Sequence, residues 1–205
     1  MTKYNEALVK KLIKKNIQSR IIHNHKYIKK NDILFIFSYS KKIPFKFLKN
    51  NKYIIVAHGS NLPIGKGFSP ITWEILNNKN FFHITFFLAN SKIDDGEILL
   101  KEKFEIKKTD LIDEWRDIVG NIIIKNSIKL TDNIESFKSK PQIGKSSLYR
   151  KRTPKDSQLN INKSIKSQFN LLRTVDNFKY PAFFLYEGQK YLITINKINE
   201  KNKKN

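Results

Sequence analysis

The chain has no cysteine, one methionine, two tryptophans and only 18 acidic side chains among 205 residues. Without cysteine there can be neither disulfides nor thiolate chemistry, and the compartment stays open on that ground. No apolar run reaches the roughly 18 residues of a membrane-spanning helix. The opening Met1-Thr2-Lys3-Tyr4-Asn5-Glu6 lacks the apolar centre of a secretory leader, so the cytoplasm is the expected location. A P-loop, a dinucleotide-binding glycine fingerprint and a Gly-x-Ser-x-Gly elbow are all missing. His23-Asn24-His25 has no cysteine or carboxylate close by in sequence, and no metal site is expected there. There is no internal repeat.

Lysine is what the chain has in excess. Forty basic residues against 18 acidic ones leave a net charge of +22. Almost all of it is lysine, the arginines being Arg20, Arg116, Arg150, Arg152 and Arg173. Such a charge attracts phosphates, on a nucleic acid or on a small ligand. Lysine, asparagine and isoleucine share A/T-rich codons, however, and a solvated surface set by composition is the simpler explanation; a nucleic-acid partner is not expected. A hydrophobic content of 40% with 15 phenylalanines supplies a core for one domain.

Periodicity sketches the elements. Leu8, Val9, Leu12 and Ile13 share one face of a helix over 6–16. Ile21-Ile22 suggests a short strand. Ile33 to Phe37, after Asn31-Asp32, is continuously apolar and predicts a strand buried on both faces. Pro44 to Lys49 suits one or two helical turns. Tyr53 to Ala57 predicts a second buried strand that delivers His58 at its carboxyl end. Ser69 as cap and Pro70 as first residue start a helix to Leu76. Phe82–Leu88 and Glu97–Phe104 predict strands, and Thr109–Asn133 a long helix with Asp110, Asp113 and Glu114 at its positive end. Residues 135–148 form a linker, Asn162–Val175 a helix, and Ala182–Tyr186 with Tyr191–Ile195 a hairpin turning at Glu187-Gly188. The expected fold is α/β with a largely parallel sheet over 1–134, an extension over 149–198 and a frayed tail at 199–205.

Two segments carry chemistry. Val56-Ala57-His58-Gly59-Ser60-Asn61-Leu62-Pro63-Ile64-Gly65-Lys66-Gly67 puts a histidine at the mouth of a buried strand, ahead of a Gly/Pro-rich loop. Open α/β sheets hold ligands at that edge. Ile93-Asp94-Asp95-Gly96-Glu97-Ile98 then offers two carboxylates in a tight turn, and either Asp94 or Asp95 can orient the imidazole. A neutral imidazole accepts the surplus proton of an amine that has attacked an acyl carbon. The basic block Arg150 to Asp156, with Arg173 and Tyr180-Pro181-Ala182-Phe183-Phe184, combines phosphate-binding guanidiniums with aromatic rings.

These residues resemble the N10-formyltetrahydrofolate-dependent formyltransferases, whose signature runs roughly H-x-S-x-L-P-x-x-x-G, then P-x-x-W, then D-x-G-D/E-I/M-L. The later strings R-x-R-T-P-x-D-S, L-L-R-x-V-D-N and Y-P-A-F-F-x-Y-x-G-x-K-Y resemble the segment found in amino-sugar formyltransferases. The resemblance implies a Rossmann-like formyltransferase sheet with a C-terminal helix and β-hairpin extension. It implies transfer of a formyl group from N10-formyltetrahydrofolate, as co-substrate, to the amine of a nucleotide-activated amino sugar for lipopolysaccharide O-antigen or a similar surface glycan. His58 would be the base and Asp94, first in its turn, the orienting acid. Ile93, Asp95, Gly96 and Glu97 would lie near the pterin. Lys66, Trp73, Arg150 and Arg152 would face the sugar nucleotide, as would Asp156, Arg173, Tyr180 and Phe183. A homodimer is compatible with this family.

Two departures stand out. Val56 occupies the place where the family carries an oxyanion-stabilising asparagine, and Asn61 or Ser60 of the following loop is the expected substitute donor; one such donor is worth about 10²–10³-fold in rate. The family also opens on an apolar strand, whereas this chain starts on a helix, so the sheet should be short of its first strand. The alternatives are formylation of methionyl-tRNA, which the charge suits, and a non-catalytic basic binding protein of the same descent. Glycinamide ribonucleotide formylation fits less well, since that family lacks the Arg-x-Thr-Pro-x-Asp block.

Overall fold

The computed structural model describes residues 2–29, 33–39, 41, 43–44, 46–47 and 51–198. Asn31-Asp32, the end of the turn expected over Pro44–Lys49 and the tail 199–205 lie outside them. Helix α1 (Thr2–Lys14) buries Tyr4, Leu8 and Leu12, each four residues apart, against Ile124 of helix α3 (Ile112–Asn133). Ile13, expected on that face, is 54% exposed. The stripe runs one turn further back instead, because Tyr4 packs where Gly120 of α3 has no side chain. A Cβ on Gly120 would stand 2.3 Å from the Tyr4 ring.

The main sheet has the order β1-β2-β4-β5, from β1 (Ile33–Ile36), β2 (Tyr53–His58), β4 (Phe81–Leu88) and β5 (Ile98–Glu105). Only β1 and β2 are parallel; β2–β4 and β4–β5 are antiparallel. The expectation of a largely parallel sheet is therefore corrected. The connection from Ala89 to Glu97 is shorter than the dozen or so residues that a parallel crossover needs, and it folds as a turn. Among the described residues β1 is an edge strand, half-buried rather than covered on both faces. Ile21 and Ile22 form no strand; with Leu8, Leu12 and Phe35 they line a cavity of about 510 Å³ beside that edge.

One face of the sheet presents Ile55, Ile84 and Phe86 to Ile122, Ile123 and Leu130 of α3. Phe82, Phe86 and Phe87 are almost fully buried, and burial of each such ring stabilises the fold by about 1.5–3 kcal/mol. Helix α2 (Pro70–Leu76) seats Ile71 and Ile75 against Phe82, Ile106 and Trp115. Pro70 begins it as expected, but Ser69 has left-handed backbone (φ 49°) and makes no side-chain cap. That conformation is not the extended one a capping serine requires. At the start of α3, Glu114 accepts the Leu111 N–H at 2.8 Å.

A two-residue strand β3 (Lys66–Gly67) pairs in parallel with β6 (Leu148–Tyr149). The extension contains a single short helix, α4 (Phe169–Leu172), and the hairpin β7 (Ala182–Tyr186) with β8 (Gln189–Ile193). Glu187 and Gly188 both have positive φ (47° and 76°), the turn that matches strand twist. The helix expected over 162–175 is reduced to α4 and a preceding 3₁₀ turn, Lys166–Gln168. Gln168 donates to the Asn160 and Lys163 carbonyls and accepts the Asn160 N–H, so polar side chains take up backbone groups that a helix would have used.

Candidate functional site

His58 ends β2, where its backbone pairs with Thr85 of β4, which in turn faces Lys101 of β5. Directly opposed residues project on one face, so these three side chains form a row beneath the loop that follows His58. Thr85 Oγ1 donates to the Ser60 carbonyl at 2.6 Å. Lys101 Nζ donates to Asn61 Oδ1 at 2.8 Å and to the Leu62 carbonyl. Burial of the Lys101 ammonium lowers its pKa.

His58 is 8% exposed. Its Nε2 lies 2.8 Å from the Gly65 carbonyl. A carbonyl only accepts, so Nε2 carries the hydrogen and Nδ1 is the free base position. Nδ1 lies 3.8 Å from Asp94 Oδ2. The same oxygen accepts the Gly67 N–H at 2.8 Å. The carboxylate is thus fixed by the loop that follows the histidine. Gly65 and Gly67 have φ of 77° and 93°, and a Cβ on Gly67 would meet the Tyr149 carbonyl at 2.4 Å. Only glycine fits both the backbone and the space.

The turn carrying Asp94 is equally tight. Asp94 has φ 48°, and a Cβ on Gly96 would stand 1.5 Å from the Leu88 carbonyl oxygen. Asp95 pairs with Lys66, a bond that holds its carboxyl below the usual range. Glu97 accepts from Ser139 Oγ, and Ile93 is 73% exposed. The structure therefore brings together His58, Asp94, Asp95, Lys66 and Gly96, with Asn61 on the loop above them.

Trp73, on α2, joins this edge to the extension. Its ring stacks on Tyr149 (centroids 6.1 Å apart), its Nε1 donates to the Arg150 carbonyl at 3.1 Å, and the Arg150 guanidinium lies 4.8 Å from the ring. Arg150 also forks onto both oxygens of Asp156. That pairing, with the Thr153 N–H and hydroxyl, holds the Asp156 carboxyl far below its ordinary range. Arg152 donates to the Asp156 carbonyl at 2.8 Å.

Arg173 is a correction. It is 2% exposed, and its guanidinium is committed to the Lys107 and Asp110 carbonyls and to Asn170. Its own carbonyl accepts from Trp115. It clamps the entry to α3 and is shielded from solvent there. Tyr180 and Phe183 belong to the hairpin end of the extension. Among the described residues, no hydrogen bond, ion pair or ring contact links them to the His58 loop. His25 bonds the Tyr39 hydroxyl at 2.8 Å.

Sequence reasoning missed three groups here. Glu74 of α2 is 2% exposed, with Oε1 accepting from Lys79 at 2.9 Å and Oε2 without a partner; burial raises its carboxyl. The signal was a carboxylate inside an otherwise apolar helical run. Gln142 and Ser147, in the linker, bond to the two site loops, and no local pattern marks them. Tyr149, just ahead of the basic block, carries no signal of its own.

Fold and site together define an α/β protein whose sheet edge carries a His–Asp pair, the imidazole Nδ1 facing the carboxylate. Residues 6–121 match the formyl transferase family, and the chain belongs to it. Among curated relatives, the bifunctional polymyxin resistance protein ArnA of Wigglesworthia glossinidia brevipalpis is 31% identical over 80% of this chain and 26% of its own length. The methionyl-tRNA formyltransferase of Acetivibrio thermocellus is 28% identical over 82% of this chain and 55% of its own length. The chain thus spans between about a quarter and about half of these relatives. Among solved structures, the fold matches methionyl-tRNA formyltransferase from Clostridium thermocellum, with a TM-score of 0.79 at 20% identity over 96% of this chain and 89% of that one. It also matches HypX from Aquifex aeolicus in complex with tetrahydrofolic acid, with a TM-score of 0.65 at 19% identity over 76% and 28%. A sugar N-formyltransferase from Shewanella gives a TM-score of 0.62 at 21% identity over 76% and 65%.

Proposed function

We propose that the protein is an N-formyltransferase that moves a formyl group from N10-formyltetrahydrofolate to the amine of a nucleotide-linked amino sugar. The observation that carries this is the open Nδ1 of His58, 3.8 Å from Asp94, at the carboxyl edge of the sheet. The folate supplies an activated formyl carbon. An imidazole nitrogen with no hydrogen-bond partner of its own, next to a fixed carboxylate, is the proton-accepting pair such chemistry needs.

The acceptor amine forms a bond to the formyl carbon and becomes cationic. His58 takes its surplus proton at Nδ1, while Gly65 holds the ring through Nε2–H. Asp94 balances the imidazolium charge. The bond from that carbon to N10 then breaks, and the proton passes from His58 to the departing nitrogen. Asn61 is the donor toward the carbonyl oxygen, its Oδ1 being occupied by Lys101 and its amide hydrogens left over. The Trp73–Tyr149 stack and Arg150 suit a nucleotide's ring and phosphate. The Shewanella sugar enzyme supports the choice of acceptor, and the tetrahydrofolate complex of HypX supports the choice of donor.

Methionyl-tRNA is the second reading, favoured by the charge of +22 and by the relatives that carry that name. The test is mass-spectrometric detection of N-formyl product from a panel of nucleotide-linked amino sugars and from methionyl-tRNA. His58→Ala should abolish product on the sugar; full turnover by this variant refutes the assignment, and product on methionyl-tRNA alone selects the second reading.

A further inference from the structure

Asp94 sits in the left-handed region, with φ 48°, which aspartate tolerates better than most L-residues but still at a cost. Something has to hold it there. The two carbonyls that flank the bend, those of Asp94 and Gly96, both accept from Gln142 Nε2, each at 2.9 Å. The carboxamide spends both of its hydrogens on the turn. Its Oε1 is buried without a partner, so Gln142 is placed for its donors at the expense of its acceptor.

Gln142 belongs to a strap that also binds the histidine loop. Lys140 exchanges backbone bonds with Ile98 (2.7 and 2.9 Å). Ser147 Oγ accepts from the Gly65 N–H at 2.9 Å, and the Ser147 carbonyl accepts from the Lys66 N–H at 2.9 Å. One segment is therefore fastened to the turn bearing Asp94 and to the loop whose Gly65 carbonyl fixes the His58 ring.

We infer that Gln142 is a positioning residue, setting the distance and angle between Asp94 and His58 Nδ1 through its clamp on the Asp94 and Gly96 carbonyls. This rests on the roles proposed for His58 and Asp94. The other charged groups around the pair are accounted for separately: Asp95 is tied to Lys66, Glu74 to Lys79, and Lys101 to the Asn61–Leu62 loop. None of them holds the Asp94 backbone.

The test uses the full chain with Gln142→Met, which keeps the side-chain length without donors, and Gln142→Glu as a second variant should the first fail to fold. The first measurement is the ¹⁵N resonance of His58 Nδ1 in the ligand-free protein, with Asp94→Asn as reference. The resonance should move in the direction seen in Asp94→Asn. Turnover on the sugar substrate should fall in kcat by about 10²-fold, with the acceptor KM within about threefold. A lowered melting temperature with an unmoved resonance overturns the inference, whatever happens to kcat. Should the wild-type protein formylate nothing, the formyl-transfer assignment falls alone, and movement of the resonance still upholds Gln142's role.

Discussion

Gly96→Ala is the most demanding test of how Asp94 is held. The added Cβ would lie 1.5 Å from the Leu88 carbonyl oxygen, 2.7 Å from its carbon and 3.0 Å from the Phe87 ring. Ordinary carbon–oxygen contact needs about 3.4 Å, so the turn and β4 must part by about 2 Å. Backbone cannot swing aside as a long side chain would. The Leu88 N–H to Glu97 carbonyl bond, 2.9 Å long, would break. Overpacking of about 1–3 kcal/mol and a buried bond lost at a further 1–3 kcal/mol add to roughly 4 kcal/mol. In a chain of this size that is a fall in Tm of about 10 °C. A 2 Å retreat of Asp94 from His58 should also lower kcat by at least ~10²-fold. Scanning calorimetry and steady-state kinetics measure the two effects. Gly144→Ala is the control: it has φ 108° but nothing within 4 Å, so it should cost only the ~1–2 kcal/mol of a left-handed alanine and spare activity. Should Gly96→Ala melt within 2 °C of wild type and keep its turnover, the turn does not pack on Leu88 and the site is built wrongly.

Three further outcomes are expected. Glu74→Gln should raise Tm at pH 7. Burial raises this carboxyl in the folded state, so protonation favours folding, and the wild type should regain its deficit as pH falls through that raised value to the ordinary carboxylate range, below which no more is regained; an equal Tm difference at pH 4 and pH 7 would contradict this. Asp156→Asn should cost about 1 kcal/mol in urea unfolding near neutrality. The folded-state carboxyl is held low by Arg150 and Thr153, so the difference should persist above pH ~4 and close as pH falls below it. Asn61→Ala should lower kcat by ~10²-fold if its amide serves the carbonyl oxygen; unchanged turnover removes it from that role.

Local patterns carried much of the fold. The apolar runs over Tyr53–Ala57 and Phe82–Leu88 are strands because burial demands them, and Glu187-Gly188 turns the hairpin because glycine takes positive φ freely while Glu187 is carried into it by the tight turn. His58 and Asp94 were visible because each sits where an apolar strand stops and turn residues begin. Strand direction does not show in periodicity: the short Ala89–Glu97 turn makes β4 and β5 antiparallel, but β2 and β4 are antiparallel across a long, helix-bearing connection that no local pattern orients. The pairing of Lys66–Gly67 with Leu148–Tyr149 joins segments about eighty residues apart through strands too short to alternate. Gln142 and Ser147 were hidden for the same reason, their partners being distant backbone groups. Arg173 misled because a guanidinium that neutralises helix-entry carbonyls and one that grips phosphate look alike in a string of letters.

The seam between β3 and β6 governs how this protein can be cut or recombined. Cleaving the chain after residue 134 would leave every strand of the main sheet intact, yet would remove the partners of Pro63, Gly65, Lys66 and Phe68. Grafting a foreign tail onto the same sheet would succeed only if the newcomer re-created those attachments.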